Sequence, residues 1–554
     1  MDHQMSRRTF VRASAGTAAA IYLGACGGSS SPSGPKGTVR VAGGSFGFPS
    51  PFAYIASFGY VQMSYLYDTL LWKDATGRML PWLARRVRRS PDGLTYTFDL
   101  REGVRWHDGR PLTAEDVAFT FEYFARQSLG PLIVAQPFGV AGARATGPRT
   151  VEVRLEIPAV TFLGSVAGAV PIIPKHIWSS IRDAPKAQDP GVLVGSGPYR
   201  LKSFSAGEGA SLYVANQDYF LGTPFVRRIE QRPVDDELSA LRAGEIDVAE
   251  TRVDGVGEDA LAGFRADDSL GIVQSTGSFS FPLIFNIGRG GALADVRFRR
   301  ACALAIDRGA IVRRLLGGNG RPGNPGFLPP GHPFHSDVEQ YAFDPAAARR
   351  LLDQAGYRGP GTGTIRRAPD GKPLSFRIVT GNAPIPPALD LLVGGLKDVG
   401  IELKTQAVDL PTLFGLTQQG ADDIAFTLYP GPGGTAPDAD PDNLRTFYSS
   451  KLRGRLQGAQ GYVDREFDRL AQRQLVTAER SERARLLARM QQIVARDLPA
   501  LPLYYPTLFT VFRKRAFDRW YYTPGGFAGG LTGVFNKQVL VTGAKTGVRV
   551  RAAA

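Results

Sequence analysis

Two cysteines are all that 554 residues contain, and one of them, Cys26, stands close to the N-terminus, so no intramolecular disulfide framework can hold this fold together. The other, Cys302, lies in Phe298-Arg-Arg-Ala-Cys-Ala-Leu-Ala-Ile306, on the apolar stripe of an expected helix, and reads as a small buried hydrophobe. Histidine is scarce as well, with five in all. His332 and His335 share a proline-rich loop, but no cysteine or third histidine stands near to complete a metal site. No segment beyond the N-terminal region approaches the roughly 20 apolar residues of a spanning helix. These shortages exclude a disulfide scaffold, a His/Cys metal centre and a polytopic membrane protein. No metal and no cofactor is expected.

Charge of one sign is in excess: 66 Lys and Arg against 51 Asp and Glu, a formal net charge of +15. Such a balance suits nucleic acid only if the cations gather on a recognisable module. Here they are scattered and interleaved with acids, as between Arg85 and Arg105 and between Arg465 and Arg496, so no nucleic-acid partner is expected.

The first thirty residues carry a distinct message. Ser6-Arg7-Arg8-Thr9-Phe10-Val11 resembles a twin-arginine export signal, with Arg7 and Arg8 as its pair. The apolar run from Ala13 to Leu23 is too short to span a bilayer and reads as a signal h-region. Leu23-Gly-Ala-Cys26 resembles a lipobox, which makes Cys26 the expected lipidation site and residues 1–25 a removable signal. Residues 26–36, rich in Gly, Ser and Pro, suit a flexible tether. Stable attachment would need more than one acyl chain.

Beyond the tether, 529 residues remain after position 25, more than one hydrophobic core usually supports, so at least two lobes are expected. Helical and strand patterns alternate, which argues for α/β layers. Thr38–Ala42 and Leu94–Leu100 alternate as strands, the latter after a Ser90-Pro-Asp-Gly93 turn. Thr113-Ala-Glu-Asp116 is a capping box that opens a helix with Val117, Phe121 and Phe124 on its apolar face. Asp344-Pro345 starts another helix, with Gly356 at its end.

Two motifs suggest catalysis and fail on context. Gly43-Gly-Ser45-Phe-Gly47 fits G-x-S-x-G, yet Phe48-Pro-Ser-Pro51 follows where a nucleophile elbow must open a helix. Gly318-Asn-Gly320-Arg-Pro-Gly323 fits G-x-G-x-x-G, but it follows a helix and contains Pro322, so a loop is expected and not a dinucleotide fingerprint.

Seven blocks in order carry a resemblance: Tyr67–Leu71 with Pro81–Ala84; Leu94–Phe121, including Trp106-His-Asp-Gly109; Gly195-Ser-Gly-Pro-Tyr-Arg200; Asn216–Phe220; Gly244-Glu-Ile-Asp-Val248; Phe285-Asn286 with Asp295–Arg297 and Ala301–Asp307; and Asp497–Pro502 with Tyr504. Across residues 38–535 the chain resembles the extracellular solute-binding proteins of family 5, the peptide/nickel type. The resemblance implies a type II periplasmic-binding-protein fold, with two lobes joined by crossover strands. It places lobe 1 at 37–275 with a return at 505–540, an extra subdomain at about 61–190, lobe 2 at 276–504, and a tail at 541–554. It also implies a non-enzymatic, monomeric component of an ABC importer, anchored outside the cytoplasm, that passes a peptide or other small solute to a permease and its ATPase. A ligand sensor acting on a membrane receptor, or a lipid-anchored hydrolase, are the rival classes.

Two stretches are candidates for the solute wall. Ser45–Tyr54 follows the first strand and offers Phe48, Phe52 and Tyr54. The second stretch, Tyr429 to Phe447, includes Asp438 and Asp440, and Asn382 is a further candidate after the strand that ends near Val379. Peptide-binding relatives place an aspartate four residues before the proline of Asp440-Pro-Asp-Asn443; here that position is Pro437, with Asp438 one residue displaced. The loop is rebuilt, and sugars, opine-like solutes and metal chelates stay open beside peptides.

Overall fold

The computed structural model describes residues 37–543, except 45, 75–77, 130–135, 252–254, 275–278, 360–363, 382–386, 428, 431–439, 453–459 and 522–535. Arg7, Arg8, Cys26, Asn382 and Asp438 lie outside the described residues.

Three sheets organise the chain. The first has seven described strands in the order Leu270–Gln274, Phe509–Arg513, Val248–Glu250, Thr38–Ala42, Arg228–Arg232, Ala210–Ala215 and Tyr199–Ser205. The second has five: Glu402–Ala407, Ser375–Thr380, Ile424–Phe426, Pro282–Phe285 and Ala500–Pro502. A third, antiparallel sheet of four strands runs Ala84–Arg89, Thr95–Leu100, Thr150–Leu155 and Val140–Gly147.

Side-chain alternation explains the layers. In Pro282–Phe285, Leu283 and Phe285 enter one core with the helices Val296–Ala305, Pro345–Gln354 and Pro387–Asp398. Ile284 points the other way, into a core with Arg465–Val476 and Arg480–Asp497. A sheet covered by helices on both faces needs apolar residues at consecutive positions, and this strand supplies them. In Thr95–Leu100 only one face is buried, through Tyr96, Phe98 and Leu100, and the strand alternates. The expected capping box is present on Ala114–Arg126: the Asp116 carboxylate accepts the Thr113 N–H at 2.9 Å. Asp344 caps its helix, and Gly356 takes φ +86° after it. Cys302 is fully buried, which pushes its thiol pKa well up.

All five tryptophans are at most 1% exposed and share one continuous core. At roughly 200 Å² of mostly apolar surface per indole, each contributes on the order of 5 kcal/mol of transfer free energy before entropy is subtracted.

Three of the sequence blocks meet on one buried carboxylate. Asp68 accepts hydrogen bonds from Trp82 Nε1 (2.8 Å), Ser196 Oγ (3.0 Å) and Tyr219 Oη (3.0 Å), and pairs with Lys537 Nζ at 2.8 Å. Another block is fastened through His107. Its Nε2 lies 3.0 Å from the Gly197 carbonyl and its Nδ1 accepts the Gly195 N–H at 3.3 Å; burial lowers its pKa to about 4. Asp247 holds Arg40 on the first strand by two hydrogen bonds of 2.9 and 2.7 Å, and Gly244 turns the chain before it at φ +80°. These blocks build the scaffold. One expectation is corrected: Gly320–Pro322 is not a free loop but pairs antiparallel with Tyr504–Pro506, because its extended backbone lies beside the returning chain.

Candidate functional site

Thr38–Ala42 runs parallel to Arg228–Arg232 and Val248–Glu250, so their carboxyl ends leave the first sheet on one edge. Ser375–Thr380 likewise runs parallel to Glu402–Ala407 and Ile424–Phe426 in the second sheet. The chain passes between the two sheets through residues 270–285 and returns through 500–513. Register ties these passages to the same edges: Glu250 lies opposite Thr510, Gln274 opposite Phe509, and Leu283 opposite both Phe426 and Leu501. Phe281 and Tyr504 join the passages midway, with rings stacked at 4.8 Å and 3°. The Phe281 N–H donates to Tyr504 O at 3.2 Å, and the Leu503 N–H to Phe281 O at 2.9 Å. Carboxyl ends of parallel strands are where open α/β sheets take their ligands. Two such edges adjoin one pair of crossovers here.

The edge of the first sheet holds a small cavity of about 50 Å³ lined by Val41, Ala42, Gly43, Phe46, Val61, Gln62, Tyr65, Gln231, Glu237 and Glu250. Beside it is a wider hollow of about 390 Å³ that reaches Glu208, Asp235 and Glu245 and shares Gly43. A Cβ at Gly43 would collide with the Gly209 carbonyl oxygen and the Arg232 backbone, so only glycine lets the chain leave the strand here. Asp236 caps the helix Glu237–Ala243 by accepting the Ser239 N–H at 2.8 Å, which puts Glu237 on its first turn. Glu237 Oε2 accepts the Glu250 N–H at 2.6 Å, and burial pushes its carboxyl up to about 7. Gln62 and Tyr65, from the helix Ala56–Leu66, are 3% and 1% exposed. Tyr65 packs edge-on against Tyr199 and Tyr213. Neither the Gln62 amide nor the Tyr65 hydroxyl has a hydrogen-bond partner among the described residues. Gln231 is already engaged, accepting from Ser211 Oγ.

The aromatic loop after the first strand is placed differently from expectation. Phe52 packs among Tyr123, Phe124 and Trp178, Phe48 meets Phe204 edge-on, and Tyr54 meets Tyr60, all within the first core. A short bridge between Gly47 and Tyr54 turns these rings inward, and Phe46 is the aromatic that lines the cavity. The backbone of Tyr429 pairs with Ser280, which brings the second candidate stretch beside the outgoing passage. Both Asp440 oxygens are taken by Arg483, at 2.7 and 2.8 Å, inside a network that continues through Gln474 to Asp442 and Arg445. Gln62, Glu237 and Glu250 were not singled out in the sequence. The signal that could find them is position just past, or packed over, the ends of parallel strands, and that pairing is visible only in three dimensions.

Among the described residues no group of three His, Cys, Asp or Glu could hold a metal, and no helix is long and apolar enough to cross a membrane. His335 Nδ1 lies 3.0 Å from the Leu328 carbonyl.

Two mixed sheets, each offering the carboxyl ends of its parallel strands beside two crossovers, define the type II periplasmic-binding-protein fold. The chain belongs to the bacterial extracellular solute-binding proteins, family 5, whose "family 5 Middle" model matches residues 78–454. It is the extracytoplasmic substrate-binding component of an ABC importer, and members of this family are binding proteins. Oligopeptide-binding protein AppA of Bacillus subtilis is 27% identical over 515 residues, covering 88% of this chain and 91% of AppA. A putative ABC transporter peptide-binding protein of Brucella ovis is 27% identical over 409 residues, covering 73% and 74%. Among solved structures, NikZ of Campylobacter jejuni in complex with Ni(L-His) superposes with a TM-score of 0.75 at 23% identity, covering 92% of this chain and 99% of that one.

Proposed function

We propose that the protein closes its two sheet edges around a small solute, releases it chemically unchanged to a membrane permease and its ATPase, and works as a monomer tethered through lipid on Cys26 after export directed by Arg7 and Arg8. The observation that carries this reading is the placement of both carboxyl-terminal edges at one pair of crossovers. A ligand that touches both edges favours the closed arrangement only by its differential contacts there. The Val160 N–H donates to Leu475 O at 2.9 Å, one of the described hydrogen bonds between the two lobes. Lobe 1 is taken as 37–275 with 505–540, including the subdomain at about 61–190, and lobe 2 as 276–504.

The solute class is left broad by the relatives: solved structures of this fold hold a nonapeptide in AppA of Bacillus subtilis, Ni(L-His) in NikZ, and agropinic acid in AgaA. Pro437 in the aspartate position, and Asp440 committed to Arg483, speak against recognition of a peptide α-amino group at that loop. The test is a thermal-shift screen over peptides, sugars, opines and metal chelates, followed by mass spectrometry of the recovered solute. A saturating solute at a hundredfold its Kd adds about 2.7 kcal/mol to folding stability. A bound and unaltered solute supports the reading; a converted product in stoichiometric excess refutes it.

A further inference from the structure

The cavity at the edge of the first sheet has a chemistry of its own. In a chain of formal net charge +15, no described lysine or arginine lines it, while two carboxylates, Glu237 and Glu250, do. The hollow that opens beside it adds Glu208, Asp235 and Glu245. Acids alone would be a solvated rim, but two largely buried polar side chains line the same cavity. The Gln62 amide and the Tyr65 hydroxyl face the cavity from side chains 3% and 1% exposed, and neither meets a hydrogen-bond partner among the described residues. A group that fills the cavity takes water from that amide and hydroxyl and must bond to them in its place, or leaving them unpaired costs about 1–3 kcal/mol.

We propose that this cavity is a subsite for a cationic end group of the bound solute, a primary ammonium or guanidinium, with Glu237 and Glu250 as counter-charges and Gln62 and Tyr65 as neutral hydrogen-bonding partners. The proposal rests on the solute-binding reading above and deepens it by naming the charge of one end of the solute. An ammonium brings three N–H donors and no acceptor, and a guanidinium brings five. The lining matches that need, because carboxylate, amide and phenol oxygens all accept. Size agrees: about 50 Å³ is several times the roughly 10–15 Å³ that admits one water. The rest of the solute would lie outward, toward Phe46 and the crossovers. This places recognition of positive charge on the first sheet, far in sequence from the rebuilt loop at 431–439.

The test measures binding by calorimetry on the purified protein with charge-matched probes. These are N-acetylated, C-amidated Ala-Ala-Lys-Ala-Ala with its norleucine and glutamate counterparts, and putrescine with butane-1,4-diol. The capped peptides confine the positive charge to one side chain, and the second pair asks the same question of a non-peptide. At least a tenfold preference for the lysine peptide or putrescine over its neutral counterpart is expected. That preference should disappear in the Glu237→Gln/Glu250→Gln double variant, and Gln62→Leu should weaken the cationic probe several-fold while leaving the neutral probe alone. Melting curves of the ligand-free variants establish that they fold; should the double variant fail to, Gln62→Leu decides alone. Binding of neutral or anionic probes with no cationic preference, or a preference that survives these substitutions, overturns the subsite and leaves the solute-binding reading standing. Binding of none of these probes overturns the subsite; if the wider screen also finds no solute, the solute-binding reading falls with it.

Discussion

Lys537 and Asp68 form an ion pair at 2.8 Å with both side chains fully buried. The pair joins residues 469 positions apart, and the ammonium also lies over the Trp72 ring, 4.1 Å from its centroid, while donating to the carbonyls of Ser64 and Tyr67. Asp68 is the carboxylate on which Trp82, Ser196 and Tyr219 converge, so the segment Lys537–Thr542 completes the first core from the far end of the chain.

Removing the cation leaves that carboxylate with neutral donors alone. Lys537→Met is expected to destabilise the protein by about 3–5 kcal/mol, the usual cost of breaking a buried pair from one side. Urea unfolding should show the loss as a lower midpoint with an unchanged slope. A loss below about 1 kcal/mol would show that the pair is not what holds the C-terminal segment.

Lys73 lies beside this pair, and burial, followed by repulsion from Lys537, lowers its pKa to about 7 from 10.5. Between those pH values the unfolded chain binds a proton that the folded chain does not, so this group makes stability rise with pH from 7 to 10.5. Its penalty is full below pH 7, where both states are protonated. Lys73→Met should therefore raise the melting temperature most at pH 6–7, with the gain shrinking toward pH 10. Parallel melting series for the two proteins check the sign; a gain that grows with pH contradicts the assignment.

Asp440 and Arg483 are a second, largely buried pair, with side-chain exposures of 13% and 9%. Asp440→Ala should cost about 3 kcal/mol of stability through the stranded guanidinium, whatever the solute. If Asp440 instead bound a peptide ammonium, the same change would abolish submicromolar peptide binding at little cost in stability. Calorimetry and chemical denaturation on one variant separate the two.

Export and anchoring have their own test. Replacing Arg7 and Arg8 by lysine should leave the precursor in the cytoplasm, and Cys26→Ala should abolish incorporation of labelled fatty acid. A Cys26→Ala protein that is still processed at residue 25 and retained on the membrane would refute the lipid anchor.

Local structure was legible from residue order alone. The capping box at Thr113, the Asp344-Pro345 helix start and the period-two strand at Thr95–Leu100 depend on neighbours a few positions away, and each formed as expected. The blocks that carried the family resemblance were legible too, and those up to Val248 include Asp68, His107 and Asp247, whose hydrogen bonds tie the scaffold together. The candidate cavity was not. Aromatic content pointed to Phe48, Phe52 and Tyr54, but a half-apolar loop does not record which of its rings faces the core. Glycine-rich Gly318–Gly323 read as a loop because the strand that pairs with it, Tyr504–Pro506, lies more than 180 residues away. The cavity brings Gln62, Glu237 and Glu250 together from a helix, a helix start and a strand end, across 188 positions. Sequence determined the class of protein, through the resemblance its ordered blocks carry, and its local elements, which follow from short-range periodicity and capping. Tertiary structure alone decided which polar side chains line the cavity at the carboxyl edge, because burial and pairing depend on which strands become neighbours.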